Sequence, residues 1–198
     1  MVATDANTTR NQLLAQAQQL ICTRGCNGFS YRDLADLVGV KSATIHYYFP
    51  SKDDLLFEAI QAYNEQVMAK IRVHDAREPA RQRLEAYLAG VSNLCGTNKL
   101  CLGGMLAAEL MSYSDKVRSA VQAFFHAQEK WLVEVLAQGA AEGTLRFHGT
   151  PEEAARAVCA TVQGRLLIGR LTREPLKLRE TLNALFVDAI DPAEPALH

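Results

Sequence analysis

Leu37-Val38-Gly39-Val40-Lys41-Ser42-Ala43-Thr44-Ile45-His46-Tyr47-Tyr48-Phe49-Pro50-Ser51-Lys52-Asp53-Asp54-Leu55-Leu56 is the stretch on which the reading of this chain turns. Just upstream, Ser30 opens a short helix, with Asp33 three residues on as a weaker form of the capping box. Leu34, Leu37 and Val38 give that helix its apolar face, and Gly39 breaks it. A second short helix is expected over 41–49, stopped by Pro50. Two short helices joined by a tight glycine-containing turn form a helix-turn-helix pattern. The spacing of Val40, Ile45 and Phe49 buries one side of the second helix against Leu34, Leu37 and the first helix of the chain. Its other side presents Ser42, Ala43, Thr44, His46 and Tyr47. Small residues at its start leave room for its N-terminal end in a major groove about 12 Å wide. Hydroxyls on Thr44, Tyr47 and Tyr48 can donate to phosphate oxygens. Lys52 falls in the first turn of the next helix, where charge and helix dipole both favour a phosphate.

Outward from this stretch the periodicity is helical, with no convincing alternating run. Leu13, Leu14, Ala17, Leu20 and Ile21 predict a first helix over 9–24, ended by Gly25. Ser51 caps a long helix over 51–72, and the polar stretch 74–79 marks a domain boundary. A helix over 79–96 follows, then a loop at 96–104, a short helix at 105–111 and a long one from Ser114 to Gly143. Thr150-Pro151-Glu152-Glu153 is a full helix start, with a Thr cap, Pro in the first turn and Glu at the third position. Two final helices are expected over 151–172 and 175–190. The fold class is therefore all-α. Residues 1–50 are expected to form an N-terminal three-helix domain that holds the helix-turn-helix, with 51–72 connecting it to a larger helical domain over 73–198.

Composition sets limits. The chain has 198 residues and a formal net charge of -1, so it lacks the domain-wide basic balance that would itself point to nucleic acid. Even the first fifty residues set Arg10, Arg24, Arg32 and Lys41 against Asp5, Asp33 and Asp36. No apolar run approaches the roughly 18 residues that cross a bilayer, and 1–11 lack a signal-peptide stretch, so the cytoplasm is the expected location. The five cysteines are then expected to be reduced, and their odd number argues against a complete disulfide framework. No cofactor is implied. Cys22 and Cys26 stand four apart with no His or further Cys near them in sequence, so no zinc site is read there. Cys95 and Cys159 are read as core.

The segment 37–56 strongly resembles the recognition segment of the TetR/AcrR family of bacterial regulators, and the resemblance is specific over roughly 11–63. It rests on the hydrophobic-Gly-Val turn, the aromatic-rich end of the short helix and the Ser-Lys-acidic start of the next. The resemblance implies a sequence-specific DNA-binding regulator, a repressor by default, acting as a homodimer on a palindromic operator of double-stranded DNA. It implies DNA binding for the domain over 1–50, and ligand binding and dimerisation for that over 73–198. By position in the motif, Thr44, Tyr48 and Lys52 look like backbone contacts, and Ser42, Ala43 and His46 like base readers. Ser30 and Arg32 add phosphate contacts. Lys41 and His46 stand where Ser and Tyr are commoner, so no operator sequence carries over. For His46, a solvent-facing residue without a base contact stands equally beside a reader.

The same resemblance makes the last two helices the dimer surface, through Ala157, Ala160, Gly164 and Ile168, then Leu182, Leu185, Phe186 and Ala189. Gly164 and Gly169 inside a helix suggest close backbone packing, within the domain or across the interface. An effector site is expected among Tyr87, Cys101, Met105, Met111, Tyr113, Phe124, Phe125 and Trp131, whose rings and sulfurs suit an apolar or aromatic small molecule. The stretch 99–106 is similar to a Cys-Leu segment of electrophile-responsive family members. Lys99 would favour the reactive thiolate of Cys101, against the plain alternative of a buried, inert thiol. Two rival classes stand beside the regulator. An enzyme lacks support, since no phosphate-binding glycine loop, His-Glu-x-x-His or nucleophile elbow occurs. A helical interaction module with a non-functional helix-turn-helix is opposed by Thr44, Tyr48 and Lys52, none of which the core is expected to need.

Overall fold

The computed structural model describes residues 2–73, 77–95, 99–173, 178, 180 and 186. Among these, regular structure is helical apart from one isolated antiparallel bridge between Phe147 and Phe186. The helices are α1 (Val2–Arg24), α2 (Tyr31–Val38), α3 (Ser42–Tyr48), α4 (Lys52–Arg72), α5 (Ala80–Cys95), α6 (Leu102–Ala108), α7 (Asp115–Glu142) and α8 (Pro151–Thr172), with a 3-10 turn at Leu110–Ser112. The all-α expectation holds. The expected helix over 175–190, with Leu182, Leu185 and Ala189, lies outside the described residues, as do 74–76 and the Cys95 side chain.

Local chemistry sets most boundaries. Ser30 and Asp33 form a complete capping box, the Ser30 hydroxyl accepting from the Asp33 amide and the Asp33 carboxylate accepting from the Ser30 amide at 2.7 Å. Aspartate therefore serves as well as the glutamate of the usual pattern. Ser51 and Asp54 repeat the device at the head of α4, and Thr150 and Glu153 at the head of α8. Gly39 ends α2 in the left-handed region at φ +76°, which glycine adopts without steric cost. Two expectations need correction. α1 begins at Val2 rather than at residue 9. α6 begins at Leu102, inside the expected loop, and takes Gly103 and Gly104 into the helix. Gly103 is there for close approach: a Cβ would lie 2.2 Å from Cε1 of Phe124 on α7.

The chain divides into two compact units. The first is Met1–Ala69 with Thr97–His126. Its interior holds Leu13, Ala17 and Ile21 of α1 with Leu34, Ile45, Phe49, Leu55, Leu56 and Ile60. Leu102, Leu106 and Phe124 are also fully buried there. The Leu100 amide donates to the Cys22 carbonyl at 3.0 Å, tying the approach to α6 to the end of α1. Asp53, in the first turn of α4, accepts from the Ser114 amide at 2.8 Å, and Asp54 pairs with Lys116 at 3.2 Å. The start of α4 is thereby fixed to the start of α7.

The second unit is Lys70–Gly96 with Ala127–His198. Here α5 and the end of α7 run antiparallel: the Ala80 amide donates to Glu142 at 3.0 Å, and the rings of Tyr87 and Trp131 stand 5.4 Å apart. Ala155, Val158, Val162 and Leu166 give α8 its buried stripe. The opposite side of α8 exposes Leu167, Ile168 and Leu171. Gly164 does not mark close packing within the unit, since a Cβ there would meet nothing within 4 Å. Cys159, expected in the core, is half-buried. α4 and α7 contribute residues to both units.

Candidate DNA-binding interface

The second helix of the helix-turn-helix, α3, is seven residues long, too short to persist alone. Its position comes from anchoring. Ile45 and Phe49 have no exposed surface, and burial of such side chains stabilises by about 1.5–3 kcal/mol each. Val40 is half-buried. Leu37 departs from expectation: it is 55 % exposed, and Ala35 takes the buried place beside Leu34. A turn beyond Leu34, half-buried Val38 continues the inward face at i, i+4, and Leu37 falls outside it.

The opposite side of α3 is open. Ser42, Ala43, His46 and Tyr47 are exposed, Tyr47 to 79 %, while Thr44 and Tyr48 are half-buried at the margin. Tyr47 and Tyr48 meet edge to face at 5.1 Å. Arg32 is exposed on α2, whereas the Ser30 hydroxyl is committed to its cap and to Asp33. Small residues thus begin a protruding helix, and hydroxyls and an imidazole follow one turn later. Such a surface can enter a groove and donate to phosphates and base edges.

Lys52 has a structural role that sequence reasoning missed. Its ammonium donates to the Phe29 carbonyl at 2.7 Å and sits 4.6 Å from the centre of the Phe29 ring. One of its three protons is taken, and two remain for an outside oxygen. Its presence is therefore no longer independent support for DNA binding, because the turn before α2 uses it too.

Tyr31 was also missed, and no periodicity could have found it. Its hydroxyl proton lies between the carbonyls of Phe49, at 3.0 Å, and Ser51, at 2.6 Å. Its ring meets that of His46 edge-on at 4.8 Å. One side chain thus fastens the end of α3 and flanks an exposed candidate reader. Burial, and next the Asp54 charge, push its phenol up to about 12, so it stays protonated and able to donate. Arg10 of α1 pairs with Glu58 of α4 and lies 5.4 Å over the Phe49 ring, closing the other side of the same anchor.

The expected effector residues fall in both units. Cys101, Met105, Met111, Tyr113, Phe124 and Phe125 belong to the first, Tyr87 and Trp131 to the second. Cys101, Tyr113, Phe124, Tyr87 and Trp131 are buried, and Met105 and Phe125 half-buried. Met111 is 89 % exposed on the 3-10 turn, so it lines no interior. Cys101 stands close enough to Cys22 to oppose ionisation of the Cys22 thiol. Burial above all, then Cys101, pushes the Cys22 thiol up to about 12, against a smaller pull from Lys99. Cys26 donates to Glu109 at 3.2 Å, and burial raises its pKa as well. Both thiols are protonated at neutral pH, which makes them poor nucleophiles.

Comparison with known proteins extends this geometry along the whole chain. Residues 13–59 match the family model for bacterial regulatory proteins of the tetR family, and residues 80–185 match that for the tetracyclin repressor-like C-terminal domain. The HTH-type transcriptional repressor NemR of Escherichia coli (strain K12) is 29 % identical over 178 residues, covering 85 % of this chain and 88 % of that protein. The HTH-type transcriptional repressor DhaR of Mycobacterium sp. (strain GP1) is 26 % identical over 180 residues, covering 89 % and 90 %. A TetR-family transcriptional regulator from Agrobacterium tumefaciens, solved as a crystal structure, superposes with a TM-score of 0.85 at 29 % identity, covering 92 % of this chain and all of that one.

Proposed function

The chain belongs to the tetR family of bacterial regulatory proteins and is a DNA-binding transcriptional regulator, and from that premise we propose that it is a dimeric repressor that a small molecule releases from a palindromic operator. One observation carries the DNA contact: α3 is locked by Ile45, Phe49 and Tyr31 while Ser42, Ala43, His46 and Tyr47 stand free. Thr44, Tyr48, Arg32 and the two remaining protons of Lys52 supply phosphate contacts around them, while Ser30, expected among them, is taken up by its cap. Affinity from so few contacts on a chain of net charge -1 is modest. Two linked half-sites raise it through effective concentration, and two-fold symmetry makes the operator pseudo-palindromic.

The stripe of exposed Ala160, Leu167, Ile168 and Leu171 with half-buried Gly164 on α8 supplies the subunit contact. Contiguous apolar surface of this kind marks an interaction face, and a glycine with open space over it admits a second backbone. Release works through α4 and α7. The Asp53–Ser114 and Asp54–Lys116 contacts hold the helix next to α3 against the head of α7, so displacement of either long helix moves the recognition helices. A ligand does this only through its different affinity for the two states.

Capture of genomic fragments on the purified protein, followed by titration of the best fragment in rising salt, tests the reading. A palindromic site bound by two chains, and weakened tenfold or more by Tyr47→Ala with the fold intact, supports it. Failure of every fragment to outcompete random duplex, with reducing agent present, moves the interaction-module reading ahead.

A further inference from the structure

Among the described residues of the second unit four buried nitrogen donors lack acceptors: Nε of Arg165 on α8 and, on α5 and α7, Nε of Arg83, Nε2 of Gln128 and Nε1 of Trp131. The last three residues are 6 %, 6 % and 4 % exposed, so bulk water serves none of them freely. They stand on facing sides of two helices. Arg83 and Tyr87 share one face of α5 at i, i+4, and Gln128 and Trp131 share one face of α7 at i, i+3. The contacts across are direct, with the Arg83 guanidinium 5.7 Å from the centre of the Trp131 ring and the Tyr87 ring 5.4 Å from it.

Arg83 brings a guanidinium cation, a donor with no acceptor of its own. Among the described residues it forms no ion pair, and its Nη1 donates to the neutral Gln138 amide oxygen. Glu142 feels the Arg83 charge, but its oxygens are occupied by the Ala80 amide, Gln138 Nε2 and Thr144. Those bonds, with a smaller contribution from Arg83, hold Glu142 below the ordinary carboxylate range. A buried, unpaired cation among unsatisfied donors destabilises a folded chain, and native interiors rarely keep such a set without a use.

We propose that Arg83, Gln128 and Trp131 form the recognition site for an organic carboxylate with a flat apolar body, the effector of the release mechanism above. The proposal rests on the effector reading and gives it a chemistry. These donors outnumber the one acceptor they meet, the Gln138 amide oxygen on Arg83 Nη1, which selects an acceptor-only group, and a guanidinium fork matches a carboxylate in two parallel bonds. Arg83 brings one charge to this α5–α7 face, which suits a monoanion better than a phosphate dianion. The Trp131 and Tyr87 rings offer the apolar contact for the body. The expectation of an apolar or aromatic effector, drawn from rings and sulfurs, gains a charged head.

The test uses the full-length protein. Trp131 is the sole tryptophan of the chain, so intrinsic fluorescence reads this site without labelling. Benzoate and phenylacetate are titrated against the neutral probes benzyl alcohol and benzamide, and thermal unfolding of Arg83→Met and Arg83→Lys is measured beside the wild type. A saturable change of Trp131 emission with the carboxylates is expected, at least tenfold weaker with the neutral probes. Arg83→Met should lose it while unfolding at the same or a higher temperature, because an unpaired buried charge has been removed; Arg83→Lys should keep part of it. No response to either carboxylate, or a response equal for the neutral probes, overturns the proposal, as does a fall of several degrees in the melting temperature of Arg83→Met, which would make Arg83 a structural member. DNA release is scored separately. Carboxylate binding at Trp131 without release leaves the site standing and removes the effector reading. Release by a neutral probe with Trp131 silent does the reverse.

Discussion

At the scale of the single residue, the decisive side chains are those that do two jobs. Tyr31 fastens the α3–α4 turn through its hydroxyl and flanks His46 with its ring. Tyr31→Phe keeps the ring and removes the bond, leaving two carbonyls short of a donor. A net loss of about 0.5–1.5 kcal/mol should lower the melting temperature by a few degrees in calorimetry, with a several-fold loss of operator affinity at temperatures where the protein is fully folded. Unchanged affinity would restrict Tyr31 to stability. Gly103→Ala puts a methyl group into the Phe124 ring. Overpacking of this kind costs about 1–3 kcal/mol, and a melting temperature equal to wild type would show that the ring simply moves aside. The sequence reading took Gly103 as a loop signal because a helix breaker and a close-approach glycine are the same letter. Lys52 was read only as a phosphate ligand for a related reason: its carbonyl partner, Phe29, is twenty-three residues away and outside any local pattern.

At the scale of the element, helix starts were the most legible feature, since a cap is written in four consecutive residues. Ser30, Ser51 and Thr150 all cap as expected. Thr150→Ala should destabilise by about 0.5–2 kcal/mol, read as a lower urea midpoint with an unchanged slope. The caps also predict acid sensitivity. Hydrogen bonds from the Ser30 hydroxyl and amide hold Asp33 below the ordinary carboxylate range, and those from Ser51 and Lys116 hold Asp54 there. A depressed folded-state value means stability that is present above the unfolded-state value, about 3.9, and lost as pH falls through the folded one. Melting temperature should therefore drop as pH is lowered from 5 toward 3, and the drop should be shallower in the Asp33→Asn, Asp54→Asn double variant. Equal slopes in the two proteins would remove the caps as the cause. Helix ends without a cap motif, such as the start of α6, were misread by a few residues, because tertiary packing and not local chemistry sets them.

At the scale of the whole molecule, the all-helical class and the helix-turn-helix could be read from periodicity and from one segment, since both are local properties. The set of donors at Arg83, Gln128 and Trp131 could not, because it exists only once α5 and α7 are antiparallel. The one local trace was two polar residues, Arg83 and Gln128, on otherwise apolar helical stripes. For the assembly, Leu171→Glu on the exposed stripe of α8 should shift light scattering from dimer toward monomer and weaken operator binding in parallel, and a dimer that survives the added charge would move the interface elsewhere. The most direct measurement for the account as a whole is an anisotropy titration of a fragment selected from genomic DNA with wild-type protein and Tyr47→Ala, against random duplex of the same length. The account predicts saturable binding of two chains per palindrome, a clear margin over random duplex, and a loss of at least tenfold on removing this exposed ring. Equal binding of selected and random duplex by the folded wild-type protein would contradict it.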